Sequence, residues 1–180
     1  MKVTQKQIDE WKKQYSSVYE LEADGLTCYV FSPLEKLAAI KQFMTALTKG
    51  SFQCVDALFN NCWLAGDEAM RTDNKIKMGL VDKVVDFVEY PDPIIEFSED
   101  GAVITIEGKQ CKVRLATRMD VTFAEERNKA GKALDTQIYL LERIAKDDLA
   151  PWKADNRLYV ALLTAMDQVK ERTAVSLKKL

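Results

Sequence analysis

The chain has no histidine anywhere in its 180 residues. That absence removes the Ser-His-Asp and Cys-His triads and every imidazole metal site in one step. Cysteine is scarce too: Cys28, Cys54, Cys62 and Cys111 never show C-x-x-C spacing, so no thiol redox pair or thiolate zinc site is spelled out. Flanked by apolar residues, they are expected as buried free thiols behaving as small hydrophobes. The seven glycines never gather into G-x-G-x-x-G or G-x-x-x-x-G-K-[ST]; Ala130-Gly131-Lys132 follows no strand pattern and reads as a helix break. No apolar run approaches the roughly 18 residues of a membrane span, and Met1-Lys2-Val3-Thr4 leads into a polar helical pattern without an apolar signal core. No membrane association is expected, and the location expected is cytoplasmic. A formal net charge of −2 leaves no basic footprint for nucleic acid. The acid pairs Asp67-Glu68 and Asp147-Asp148 fall in loop or helix-ending segments, where carboxylates are solvated or cap the next helix. No catalytic, metal or cofactor site is expected.

What is present is a folded composition, 47% hydrophobic and 30% charged, arranged twice. Gly25-Leu26-Thr27-Cys28-Tyr29-Val30 and Gly108-Lys109-Gln110-Cys111-Lys112-Val113 share the pattern Gly-x-x-Cys-x-Val, 83 positions apart. Asp73-Asn74-Lys75-Ile76 and Asp155-Asn156-Arg157-Leu158 each open a helical run, 82 positions apart. Between these anchors Leu58-Phe59 falls opposite Leu140-Leu141, and Cys62 opposite Ile144. The expectation is a predominantly helical α+β chain of two tandem repeats, each a small antiparallel hairpin or meander followed by three helices. Residues 1–90 form the first repeat with a leading helix, 94–180 the diverged second, and Pro91-Asp92-Pro93 the linker.

Local signals place the elements. Thr4-Gln5-Lys6-Gln7 is a capping-box pattern ahead of a stripe of Ile8, Trp11 and Tyr15. Val18–Glu22 and Thr27–Phe31 flank Asp24-Gly25 as a hairpin. Ser32-Pro33-Leu34-Glu35 reads as N-cap, N1 and N3 of a helix whose stripe is Leu37, Ile40, Met44 and Leu47. A second helix starts at Ser51 with Val55, Leu58, Phe59 and Cys62 inward. A third begins near Asp73 and carries Ile76, Leu80, Val84, Phe87 and Val88 to about Tyr90. Strands 94–97, 103–106 and 111–115 follow, then helices over 119–130, 134–146 and 155–176.

The most distinctive string is Asn60-Asn61-Cys62-Trp63-Leu64-Ala65-Gly66-Asp67-Glu68. It reads as a helix C-terminal cap, with Gly66 left-handed and Trp63 folded over the helix end. Tryptophan is also a favoured interface anchor. Asn61, Cys62, Trp63, Gly66 and Asp67 are therefore the candidate partner-binding residues.

With these residues in hand, residues 1 to about 90 resemble small phage or prophage tail-assembly chaperone-like proteins of the kind carried by Bacteroidetes. The resemblance rests on the Ile8-x-x-Trp11-Lys12-x-x-Tyr15 helix, the hairpin ending Tyr29-Val30-Phe31-x-Pro33, the Leu58-Phe59-Asn60-Asn61-Cys62-Trp63-Leu64-x-Gly66-Asp67-Glu68 string and the helix opened by Asp73. It implies a non-enzymatic protein that binds a long helical tape-measure protein in the host cytoplasm before the tail tube forms, and that self-associates. Two other classes compete with it: a structural component of the tail or virion, and a small cytoplasmic enzyme or ligand-binding domain with a pocket between the repeats. The last needs converging polar groups, and the sequence offers no such set.

Overall fold

The computed structural model describes residues 3–170; the end of the last expected helix, 171–176, lies outside them. The chain divides into two compact units, Met1–Glu89 and Tyr90–Leu180. Each is α+β, with a three-stranded antiparallel sheet and surrounding helices.

The first unit opens with α1 (Gln5–Gln14), started by the expected capping box: the Gln7 amide donates to Thr4 Oγ1 at 3.4 Å and the Thr4 amide to Gln7 Oε1 at 2.9 Å. β1 (Val18–Ala23) and β2 (Leu26–Phe31) form the hairpin. Its turn residues Asp24 and Gly25 have φ of 50° and 78°, the paired positive values of a type I′ turn, whose twist matches that of the strands. Register sets the faces: Tyr19 lies opposite Val30 and Leu21 opposite Cys28, with Glu20 opposite Tyr29 and Glu22 opposite Thr27 on the other side. Cys28 and Val30 are fully buried. Against this face packs α3 (Ser51–Cys62), burying Cys54, Val55, Leu58 and Phe59. The chain continues without a loop into β3 (Trp63–Gly66), which pairs antiparallel with β2, and then into α4 (Ala69–Thr72) and α5 (Asn74–Leu80).

In the second unit β4 (Ile94–Ser98), β5 (Gly101–Ile106) and β6 (Lys109–Arg114) form a meander in that order. It is followed by α6 (Arg118–Arg127), α7 (Asp135–Ile144), α8 (Ala150–Lys153) and α9 (Asn156–Lys170). α9 is buried on most of its circumference, with Tyr159, Leu162, Leu163 and Met166 almost wholly enclosed, the pattern of a core helix.

Several details occur in both units. Glu107 and Gly108 repeat the positive-φ turn at 48° and 78°. The acid in each turn reaches a cation near the start of the later helix: Asp24 to Lys75 at 3.3 Å, and Glu107 to Arg157 at 2.6 Å. Asp73 and Asp155 cap those helices by accepting from the amides of Lys75 and Arg157. Cys28 and Cys111 sit on the return strand of each hairpin with no exposed surface.

Other expectations need correction. Ser32 caps only a three-residue 3-10 turn, Pro33–Glu35, because Lys36 is extended and interrupts the run; α2 (Leu37–Leu47) begins after it. That restart rotates the buried stripe to Ala39, Ile40 and Phe43, leaving Leu47 38% exposed. The helix expected from Asp73 to Tyr90 is α5 followed by a 3-10 helix, Val81–Phe87. Gly79 and the β-branched Val81, Val84 and Val85 weaken an α-helix there, and the three-residue step from Val84 to Phe87, both buried, suits the tighter repeat. The plan of strands first and helices after also fails in the first unit, where the third strand follows α3.

Candidate functional site

The string singled out in the sequence is the junction between α3 and β3, and the helix-capping reading of it is wrong. Cys62 is the last residue of α3, and Trp63 leaves directly in extended conformation at φ −64° and ψ 132°. Asn61 does not cap the helix; its Nδ2 donates back to the Ala57 carbonyl at 2.7 Å. Gly66 does have positive φ, at 137°, but in strand pairing rather than in a helix cap. It lies so close across β2 that a Cβ would stand 2.4 Å from Cys28 Cα and 2.5 Å from the Thr27 carbonyl oxygen. Pairing with β2 overrides the local signal for a helix end.

Asp67 extends that pairing by one residue. Its amide donates to the Thr27 carbonyl at 2.9 Å, and its carboxylate accepts from the Thr27 amide at 3.0 Å. The second unit does the same with less strand: Ala145 bridges Val113, the Lys146 amide donates to the Lys112 carbonyl at 2.8 Å, and Asp147 accepts from the Lys112 amide at 2.7 Å. Each acid also lies near the buried thiol of its unit. Burial first, and then Asp67, pushes Cys28 up to about 12; burial and then Asp147 push Cys111 up to about 11. Cys62 is raised to about 12 by burial, against a downward pull from Lys36. All three are neutral thiols at physiological pH and poor nucleophiles.

Trp63 packs within its own unit. Its ring meets Phe59 edge-on at 5.7 Å, and the Arg71 guanidinium lies over it at 5.3 Å. It is half-buried, so a part of the indole stays on the surface. The structure thus brings Asn61, Cys62, Trp63, Gly66 and Asp67 together, with the side chains of Asn61 and Asp67 bonded to neighbouring backbone.

The strongest electrostatic centre was not singled out from the sequence. Asp120, 2% exposed, accepts from Arg114 at 2.6 and 2.9 Å, from Arg143 at 2.5 Å, and from the amide and hydroxyl of Thr117 at 2.9 and 2.7 Å. The Arg114 hydrogen bonds, followed by those of Thr117 and Arg143, hold its carboxyl well below the ordinary range despite burial. A carboxylate so held neither gives nor takes a proton near neutral pH; it welds β6, α6 and α7 together. The available sequence signal was Thr117-x-x-Asp120, a capping-box spacing.

No family model, no curated protein and no solved structure matches this chain. Among the described residues, no group of three or more Cys, Asp or Glu side chains is placed to hold a metal ion, and no helix is long and apolar enough to cross a membrane.

One further arrangement bears on binding. The Trp11 ring of α1 lies 5.5 Å from the ring of Tyr29 on the outer face of the first sheet. Just past the helix, Tyr15 stacks on Phe31 at 4.4 Å, and Lys36 Nζ sits 4.5 Å over the Phe31 ring. This unit therefore carries an amphipathic helix on the surface of its sheet.

Proposed function

We propose that this chain is a non-enzymatic tail-assembly chaperone-like protein, built from two copies of one module, that binds a long helical tape-measure protein during tail morphogenesis. The observation that carries the reading is the seating of α1: a sheet face that holds one amphipathic helix through aromatic contacts has the chemistry to hold another. The residues behind the family resemblance support it too, because the Asn61–Asp67 string is spent on joining helix to sheet rather than on converging reactive groups. Exposed methionines, Met78 at 60% and Met119 at 75%, add adaptable apolar surface of the kind that tolerates varied partners. The chain works in the host cytoplasm, by binding alone, and self-associates through the same apolar edges.

The test is co-expression with a long helical tape-measure protein. The client is expected in the soluble fraction only when this chain is present. Equal solubility with and without it, and no complex surviving gel filtration, would refute the reading.

A further inference from the structure

We propose that the outer face of the β1–β2 hairpin, centred on Tyr29, is the client-docking surface, that its occupant is a basic amphipathic helix, and that α1 is a displaceable cover over it. This rests on the chaperone reading and names the site at which it operates.

The cover is lightly held. None of the ten residues of α1 is buried. Two ring contacts join it to the sheet: Trp11 on Tyr29, and Tyr15 on Phe31 just beyond the last turn. Its side-chain hydrogen bonds, Gln7 with Thr4 and Gln5 with Asp9, stay within the helix and its cap. Firm attachment begins at buried Tyr15 and continues at Ser17, whose amide donates to Glu35 at 2.8 Å and whose carbonyl accepts from the Ser32 amide at 3.0 Å. The lightly held part is therefore the helix itself, which ends at Gln14 just before the extended backbone of Tyr15.

Charge identifies what fits beneath. Glu20 and Glu22 share the outer face with Tyr29, since they pair directly with Tyr29 and Thr27; Glu20 also accepts from the Tyr29 hydroxyl at 2.7 Å. α1 brings Lys12 and Lys13 in its last turn, beside Trp11. An acidic strand with a tyrosine at its centre is complementary to a helix that carries an aromatic residue beside lysines. A client helix of that composition places its aromatic residue on Tyr29 as Trp11 does and its lysines toward Glu20 and Glu22. The second unit lacks this face: Lys112 stands where the Gly-x-x-Cys alignment puts the counterpart of Tyr29, and Arg114 where it puts that of Phe31.

The probe is a fluorescein-labelled synthetic peptide of residues 3–16, titrated against the full chain and followed by anisotropy. Trp11→Ala, which loosens the cover and leaves the face intact, is expected to bind the peptide about tenfold more tightly than the unaltered chain, because the cover taxes the apparent affinity. Adding Tyr29→Lys is expected to abolish that binding, with circular dichroism confirming that the chain remains folded. Should Trp11→Ala fail to fold, the double change Lys12→Glu and Lys13→Glu replaces it, with the same direction expected. Equal binding by all variants, or tight binding that survives Tyr29→Lys, overturns the proposal. If the peptide binds as expected but the client is never solubilised, the docking face stands and the chaperone reading falls. If the client is solubilised and the peptide never binds, the reading stands and this face is not its site.

Discussion

Gly66 and Gly25 both have positive φ, yet only one is crowded. A Cβ on Gly25 meets nothing within 4 Å, whereas one on Gly66 collides with the Cys28 backbone. Gly66→Ala is therefore expected to cost about 3 kcal/mol or more, from strain and overpacking together, and Gly25→Ala only about 1 kcal/mol; urea unfolding of both measures the difference. Asp120 gives the pH-dependent counterpart. Its folded pKa is depressed, so its contribution is full above the unfolded value of about 3.9 and is lost as pH falls from there toward the folded value. Arg114 and Arg143 are each 38% exposed, so solvent screens their attraction to Asp120. Asp120→Asn is expected to destabilise by about 2 kcal/mol at pH 7, and to flatten the loss of stability of the parent chain between about pH 4 and pH 2. An unchanged pH profile would mean that the cluster does not control acid stability.

Elements differ in how far they could be read from sequence, and the difference follows the range of the forces that make them. The two hairpins were legible because Asp24-Gly25 and Glu107-Gly108 occupy turns that need positive φ at both central positions. α1 was legible because its cap and its stripe are both local. β3 was not, since Trp63-Leu64-Ala65-Gly66 becomes a strand only by pairing with the distant β2, Gly66 with Cys28 and Ala65 with Tyr29, and its local residues favour a helix end. The same holds for Asp120, whose meaning depends on Arg143 arriving from another helix. Ser32 lies between these cases. Its role as a cap was readable, but its Oγ also donates to the Phe87 carbonyl at 2.7 Å, fastening the end of the 3-10 helix Val81–Phe87. Ser32→Ala is expected to cost about 1–2 kcal/mol, because a buried acceptor loses its partner. Hydrogen exchange is expected to rise first at Val88, whose amide bonds the Val85 carbonyl within that segment. Protection there equal to that of the parent chain would show that Ser32 does not hold this end.

At the scale of the molecule, two α+β units carry similar turns, caps and buried thiols, while their outer sheet faces diverge in chemistry. Tyr29 and Phe31 bear an aromatic surface in the first, against Lys112 and Arg114 in the second. On the function proposed above, the shared frame provides stability and one face takes the client. We propose that this chain acts by forming a complex with a long helical protein and performs no chemistry. Light scattering on the co-purified pair after gel filtration tests it most directly. The account predicts one peak containing both chains, with a mass equal to the client plus a whole number of copies of this protein. Two separate peaks, with the client soluble by itself, would contradict it.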